Sequence, residues 1–196
     1  MKKALEDALL LTAIKMKRDL TEIIEIPEGI NAEIANKMIK IKGKIGEISQ
    51  KIPPVLPIKI SEGKIEIAVK NSTKKEKKIL KSFVAHIKKT MKGVNEKYVY
   101  KLQICFVHFP VTVTYDEQKR EILIKNFLGE AKPRIAKVLP NVDVKIEGDK
   151  IILSSADKDI AGQSAANIET ATKIRGRDRR IFQDGIWITE KCGRAI

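Results

Sequence analysis

The residues best suited to chemistry are cations. Lys173-Ile174-Arg175-Gly176-Arg177-Asp178-Arg179-Arg180 packs five bases into eight positions. An arginine guanidinium is a planar fork that can hold a phosphate through two hydrogen bonds or stack on a ring, whereas lysine acts as a point charge. Lys173, Arg175, Arg177, Arg179 and Arg180 are therefore the candidate phosphate-binding set, with Gly176 keeping the loop narrow enough for close backbone approach. The competing reading is local: Arg179 pairs with Asp178 or Asp184 and merely fastens a loop. Bulk charge favours an anionic partner, since 39 Lys and Arg against 25 Asp and Glu leave a net charge of +14. Such a field attracts phosphate backbones whatever their sequence. Lys-rich surfaces also serve solubility and heat tolerance, but there Lys and Glu rise together, and here the bases outrun the acids. The stretch from Lys74 to Lys92 adds Lys74, Lys75, Lys77, Lys78, Lys81, Lys88 and Lys89 against the single Glu76. Most of these read as a solvated helix face, although lysines in a first turn oppose the helix dipole unless an anion lies near.

Other chemistry finds little support. The chain has no GxSxG, P-loop, HExxH or GxGxxG motif, the usual frames for a nucleophile, a phosphate cradle, zinc or a dinucleotide. Asp178 and Asp184 could be drawn as an acid and base, yet nothing in their spacing brings a nucleophile or metal to them. No catalytic residue, cofactor or small-molecule substrate is expected, and the chain reads as a non-enzyme. Cys105, Cys192, His86 and His108 form no ligand cluster, so no metal site is expected. Cys105 lies in the apolar run Leu102 to Phe109 and reads as a small buried hydrophobe. This cysteine usage fits a reducing cytoplasm. No run reaches the roughly 18 apolar residues of a membrane span. Glu6 and Asp7 interrupt the signal-like start Met1-Lys2-Lys3, so the chain reads as mature protein.

The elements that would position the basic cluster come in two copies. The segment from Ile24-Glu25-Ile26-Pro27 through Ile39-Lys40-Ile41 to Gly46-Glu47 lies without a gap over Val107-His108-Phe109-Pro110 through Ile122-Leu123-Ile124 to Gly129-Glu130. Apolar positions agree where strands need them: Ile26 with Phe109, Ile30 with Val113, Ile39 with Ile122, Ile41 with Ile124. Alternation at Ile65, Ile67 and Val69 predicts a strand; Asn71-Ser72 then offers a cap to a helix over Lys74 to Met91, with Ile79, Phe83, Ile87 and Met91 inward. In the second copy Val142, Val144 and Ile146 alternate, Gly148-Asp149 turns the chain, and Ile151 to Leu153 leads to a helix from Asp157 to Thr172. Ile160, Ser164, Ala165 and Ile168 face inward there. The expected fold is α+β: two tandem copies of a small domain, each an antiparallel sheet with one helix packed on it. The expected divisions are a helical extension over 1–22, first repeat 23–97, second repeat with the basic loop 98–188, and a tail 189–196. Leu5, Leu9, Thr12, Met16 and Leu20 give the extension its helical stripe. Pro53-Pro54-Val55-Leu56-Pro57 leaves the connection after the second strand open.

Several segments in order resemble one family, the universal large-subunit ribosomal protein numbered six in bacteria and nine in eukaryotes, in its archaeal type. They are Ile24 to Gly29, Ala85-His86-Ile87 with Met91 to Val94, His108-Phe109-Pro110, Asn126 to Glu130, Gly162 to Glu169, and Asp178 to Ile186. The resemblance covers residues 22–191 and implies a duplicated fold and an architectural RNA binder of the cytoplasmic ribosome, with neighbouring ribosomal proteins and large-subunit rRNA as partners. It implies a position near the sarcin-ricin loop and stalk base, supporting the translation-factor site, with rRNA contact through Lys173, Arg175, Arg177, Arg179 and Arg180. Phe182 and Trp187 either stack on bases or pack against the second helix, and packing is the expectation. The alternative is a free-standing RNA-binding factor in RNA processing or ribosome assembly.

Overall fold

The computed structural model describes residues 18–61, 63–178 and 180–196. The chain is α+β and divides into two units, Met1–Asn95 and Glu96–Ile196.

The first unit comprises β1 (Arg18–Glu25), β2 (Asn31–Ala35), β3 (Met38–Lys42), β4 (Glu47–Lys51), β5 (Ile58–Ser61), β6 (Lys64–Ser72) and α1 (Lys74–Asn95). Two antiparallel sheets, β1-β6-β5 and β2-β3-β4, turn one face each toward a shared core. Alternation selects that face: Ile39 and Ile41 on β3 and Ile65 and Ile67 on β6 are fully buried, while their sequence neighbours point away. Burying each such side chain contributes roughly 1.5–3 kcal/mol. Helix α1 closes the core with Leu80, Phe83, Val84, Ile87, Met91 and Val94.

The helix starts at Lys74 as expected, but Thr73 and not Asn71-Ser72 caps it. The Thr73 hydroxyl accepts from the Lys75 amide at 3.3 Å, and the Glu76 carboxylate reaches back to the Thr73 amide at 2.7 Å and to its hydroxyl. This is a reciprocal cap. The Thr73 hydroxyl, foremost, and its amide hold the Glu76 carboxyl below its ordinary value. Ile79, expected inside, is 37% exposed, because the buried stripe takes its phase from Leu80 instead. The proline-rich connection closes as a turn in which the Leu56 amide donates to the Pro53 carbonyl, and Leu56 plugs the core.

The second unit comprises β7 (Tyr98–Cys105), β8 (Thr112–Asp116), β9 (Glu121–Lys125), β10 (Arg134–Lys137), β11 (Asp143–Glu147), β12 (Lys150–Ser155), α2 (Lys158–Ala171), β13 (Gly185–Lys191) and β14 (Arg194–Ala195). Its sheets are β10-β9-β8 and β11-β12-β7-β13-β14. Asp157 caps α2 by accepting from the Asp159 amide at 2.8 Å. The helix lays Ala161, Ser164, Ala165 and Ile168 on the core. A side chain at Gly162 would meet the Tyr100 hydroxyl at 3.0 Å, so this glycine lets α2 approach β7 closely.

The duplication is real but not gapless. Ile39 and Ile41 correspond to Ile122 and Ile124, all fully buried. Asn36 and Lys37, both at positive φ, join β2 to β3, whereas four residues join β8 to β9. The ladders therefore set Val113 opposite Ile124 and Ala32 opposite Ile41, so Val113 matches Ala32 and not Ile30. Phe109 is 47% exposed and is no counterpart in the core for Ile26.

Element boundaries also depart from expectation. The helix expected over 2–20 lies outside the described residues except at its end, which β1 takes up because Leu20, Glu22 and Ile24 alternate toward the core. Strand β13 runs through the division expected at residue 188, and β14 pairs with it, so the supposed tail belongs to the sheet. Cys105, expected to be buried, is half-buried at the end of β7. Burial and, to a lesser degree, Asp149 push its thiol up, away from the reactive thiolate form.

The cap gives a direct test. Thr73→Ala removes the hydroxyl that faces the helix start and should weaken the first turn by about 1 kcal/mol. Hydrogen exchange of the α1 amides reads this, and unchanged protection would contradict the reciprocal cap.

Candidate nucleic-acid interface

The basic cluster occupies the connection between α2 and β13, and both of its ends are fixed. At its start, Thr172 is buried, and its hydroxyl accepts from the Ile186 amide at 3.0 Å. Arg134, on β10, donates through Nη1 to the carbonyls of Ala171 at 3.0 Å and Lys173 at 3.5 Å. The rest of that guanidinium grips Glu130, with Nε to Oε2 at 2.9 Å and Nη2 to Oε1 at 2.6 Å. It also lies 4.3 Å from the centre of the Phe127 ring. One arginine thus ties β10, the segment after β9 and the end of α2 together, in the bidentate geometry that lysine cannot reproduce. The Arg134 hydrogen bond, foremost, holds the Glu130 carboxyl below its ordinary value against partial desolvation, helped by the charges of Arg134 and Arg177.

At the far end, Asp184 is 1% exposed. It accepts from the backbone amides of Val107 at 2.8 Å and His108 at 3.2 Å, and pairs with His108 Nδ1 at 2.8 Å. Burial pushes its carboxyl up, but these hydrogen bonds outweigh burial and leave it below the ordinary value. Asp184 is therefore a clamp on the β7–β8 connection. The acid–base pairing with Asp178 does not form, because Asp178 accepts from the Arg180 amide at 2.9 Å and shapes the loop.

Between these ends, Phe182 stacks on His108 with ring centres 4.9 Å apart at 19°, and the Arg177 guanidinium lies 4.7 Å from the Phe182 ring centre. Phe182 packs, as expected, but on the β7–β8 connection instead of the second helix. Trp187 donates from Nε1 to the Gln183 carbonyl at 3.3 Å and closes over Gly185. Gly176 sits at φ +70 with open space around it, so its backbone conformation, not crowding, demands glycine.

The expected site residues fall into two groups. Lys173, Arg175 and Arg180 are exposed and make no ion pair with the described residues. Arg177 is exposed too, but its guanidinium is engaged with Phe182. Arg179 lies outside the described residues. Sequence reasoning missed Arg134, Glu130 and His108 as positioning residues: Ala171 and Asp184, which Arg134 and His108 hold, lie far along the chain, and the close Glu130–Arg134 pair falls outside any helix, where its spacing is no signal. Among the described residues no group of three or more His, Cys, Asp and Glu is placed to hold a metal, and no helix is long and apolar enough to cross a membrane.

The second of two α+β copies thus carries exposed cations on a loop fixed at both ends. The family described as ribosomal protein L6 matches residues 26–97 and 109–185. The large ribosomal subunit protein uL6 of Methanococcus vannielii is 39% identical over 178 residues, which span 90% of this chain and 97% of that protein. The chain belongs to the ribosomal protein L6 family, a family of structural, non-enzymatic proteins.

The Asp184 clamp predicts a pH dependence. Its folded-state pKa is depressed, so its contribution is present above the unfolded value of about 3.9 and is lost as pH falls through the lower folded value. Asp184→Asn should destabilise the second unit by about 1–2 kcal/mol near pH 7. Denaturant titrations at several pH values should show that deficit shrinking below about pH 4, and a pH-independent deficit would refute the ionised clamp.

Proposed function

We propose that the chain is a structural component of the large subunit of the cytoplasmic ribosome. It binds large-subunit rRNA near the sarcin-ricin loop and stalk base and so supports the site where translation factors act. Lys173, Arg175, Arg177, Arg179 and Arg180 make the RNA contact, and neighbouring ribosomal proteins complete its surroundings. The observation that carries this reading is the loop itself: exposed Lys173, Arg175 and Arg180, which form no ion pair with the described residues, on a segment whose two ends are fixed by Arg134 and Asp184. A partner meeting such a loop loses little binding energy to ordering it.

The mechanism is positional. Phosphate contacts fix register and orientation while carrying no sequence information, and folded RNA is recognised chiefly by shape. Arg175 and Arg180 supply bidentate donors, Lys173 a mobile point charge, and Arg177 a guanidinium already oriented by Phe182. Family membership and the likeness to the large ribosomal subunit protein uL6 of Methanococcus vannielii support the large-subunit assignment.

Sedimentation of native extract tests it. The protein should appear in near-equal molar amount with the large subunit and persist through a high-salt wash. A variant carrying Arg175→Gln, Arg177→Gln and Arg180→Gln should be stripped at lower salt, since losing three phosphate contacts lowers the log affinity–log salt slope by roughly two to three. Recovery of the wild-type protein only at the top of the gradient would overturn the assignment.

A further inference from the structure

The first unit carries a groove that the basic loop does not explain. It is an open channel of about 580 Å³ between the end of β4 and α1, lined by Gln50, Lys51, Lys75, Lys78, Ile79 and Phe83 among others. On the helix these residues follow one face, and Ile79, outside the buried stripe set by Leu80, is 37% exposed there. Among the described residues the lining holds three lysines and no carboxylate. Gln50 Oε1 is buried and has no hydrogen-bond partner among the described residues.

We propose that this groove receives an acidic segment of a partner protein that also carries apolar side chains. The lysines select negative charge, and Ile79, with the edge of the largely buried Phe83, offers an apolar patch that suits aliphatic side chains better than phosphates. The Gln50 carbonyl lacks a donor among the described residues, and Gln50 lines the groove. Phosphates carry only acceptors, whereas a peptide backbone supplies an N–H at every residue but proline. A groove of this size holds a few residues of extended chain, which matches a short segment docking on the surface. Every residue named here belongs to the first unit, whereas the proposed rRNA contact belongs to the second.

A photo-crosslinking residue placed at position 79 of the full chain in cells, followed by gradient fractionation and sequencing of the adduct, identifies the occupant. The adduct should map to a protein segment rich in Asp or Glu interspersed with aliphatic residues. It should fall at least fivefold when Lys75→Ala and Lys78→Ala are combined, exposed changes to the strongest helix former. An adduct to RNA, an adduct indifferent to those lysines, or no adduct would overturn the proposal. The gradient position reports separately on the ribosomal assignment, since an acidic-segment adduct at the top of the gradient would support the groove and refute that assignment.

Discussion

A carboxylate withdrawn from water is tolerated only when donors replace the water it has lost, and Asp184 meets that condition with two backbone amides and an imidazole. The constraint works both ways. The donors keep Asp184 charged, and Asp184 keeps Val107 and His108 where their amides must point. His108 in turn presents a ring for Phe182, and Phe182 presents a ring for Arg177. A loop with strong mutual repulsion among its bases is thereby closed at its C-terminal end by one buried negative charge. Arg134 does the complementary work at the other end, its positive charge balanced by Glu130 while Nη1 serves the carbonyls at the end of α2. The loop's exposed cations are left to face outward.

The two copies show how a duplicated fold acquires a specialised half. Among the described residues both place six strands before a helix, and both bury the same isoleucine pair in the central strand of a hairpin sheet. In the second copy the chain continues past the helix, makes the basic loop and returns as β13 along β7. Among the described residues, β1 in the first copy pairs with β6 alone. The added strand does more than cover an edge: its pairing with β7 sets where the loop must end, since Gly185 lies opposite Cys105 and Asp184 is thereby delivered to the β7–β8 connection.

Legibility in the sequence followed the range of the interactions. Ile39 and Ile41, Ile122 and Ile124, and Ile65, Ile67 and Val69 declared their strands, because burial on one face imposes a period of two within a few residues. The basic loop was equally plain, since its charge is contiguous. Local geometry was less so: the hairpin after β2 uses two left-handed residues where its counterpart uses four residues, and this difference defeated the gapless alignment at Val113. The helical stripe ending at Leu20 competed with a strand pattern and lost it to β1. Arg134 and His108 gave no signal, because each acts on a segment brought near only by the completed fold. Asp184 was visible as a carboxylate, but not as one directed at backbone amides.

The central claim is that Arg134 acts by holding the loop and not by touching the partner. The most direct measurement is the salt dependence of binding to a large-subunit rRNA fragment for the full chain and for Arg134→Gln. The account predicts weaker binding at every salt concentration with the slope of log affinity against log salt unchanged, because the number of phosphates neutralised stays the same. A slope reduced by about one would mean that Arg134 itself contacts phosphate, and unchanged affinity would mean that the loop needs no anchor. Either result would contradict the account.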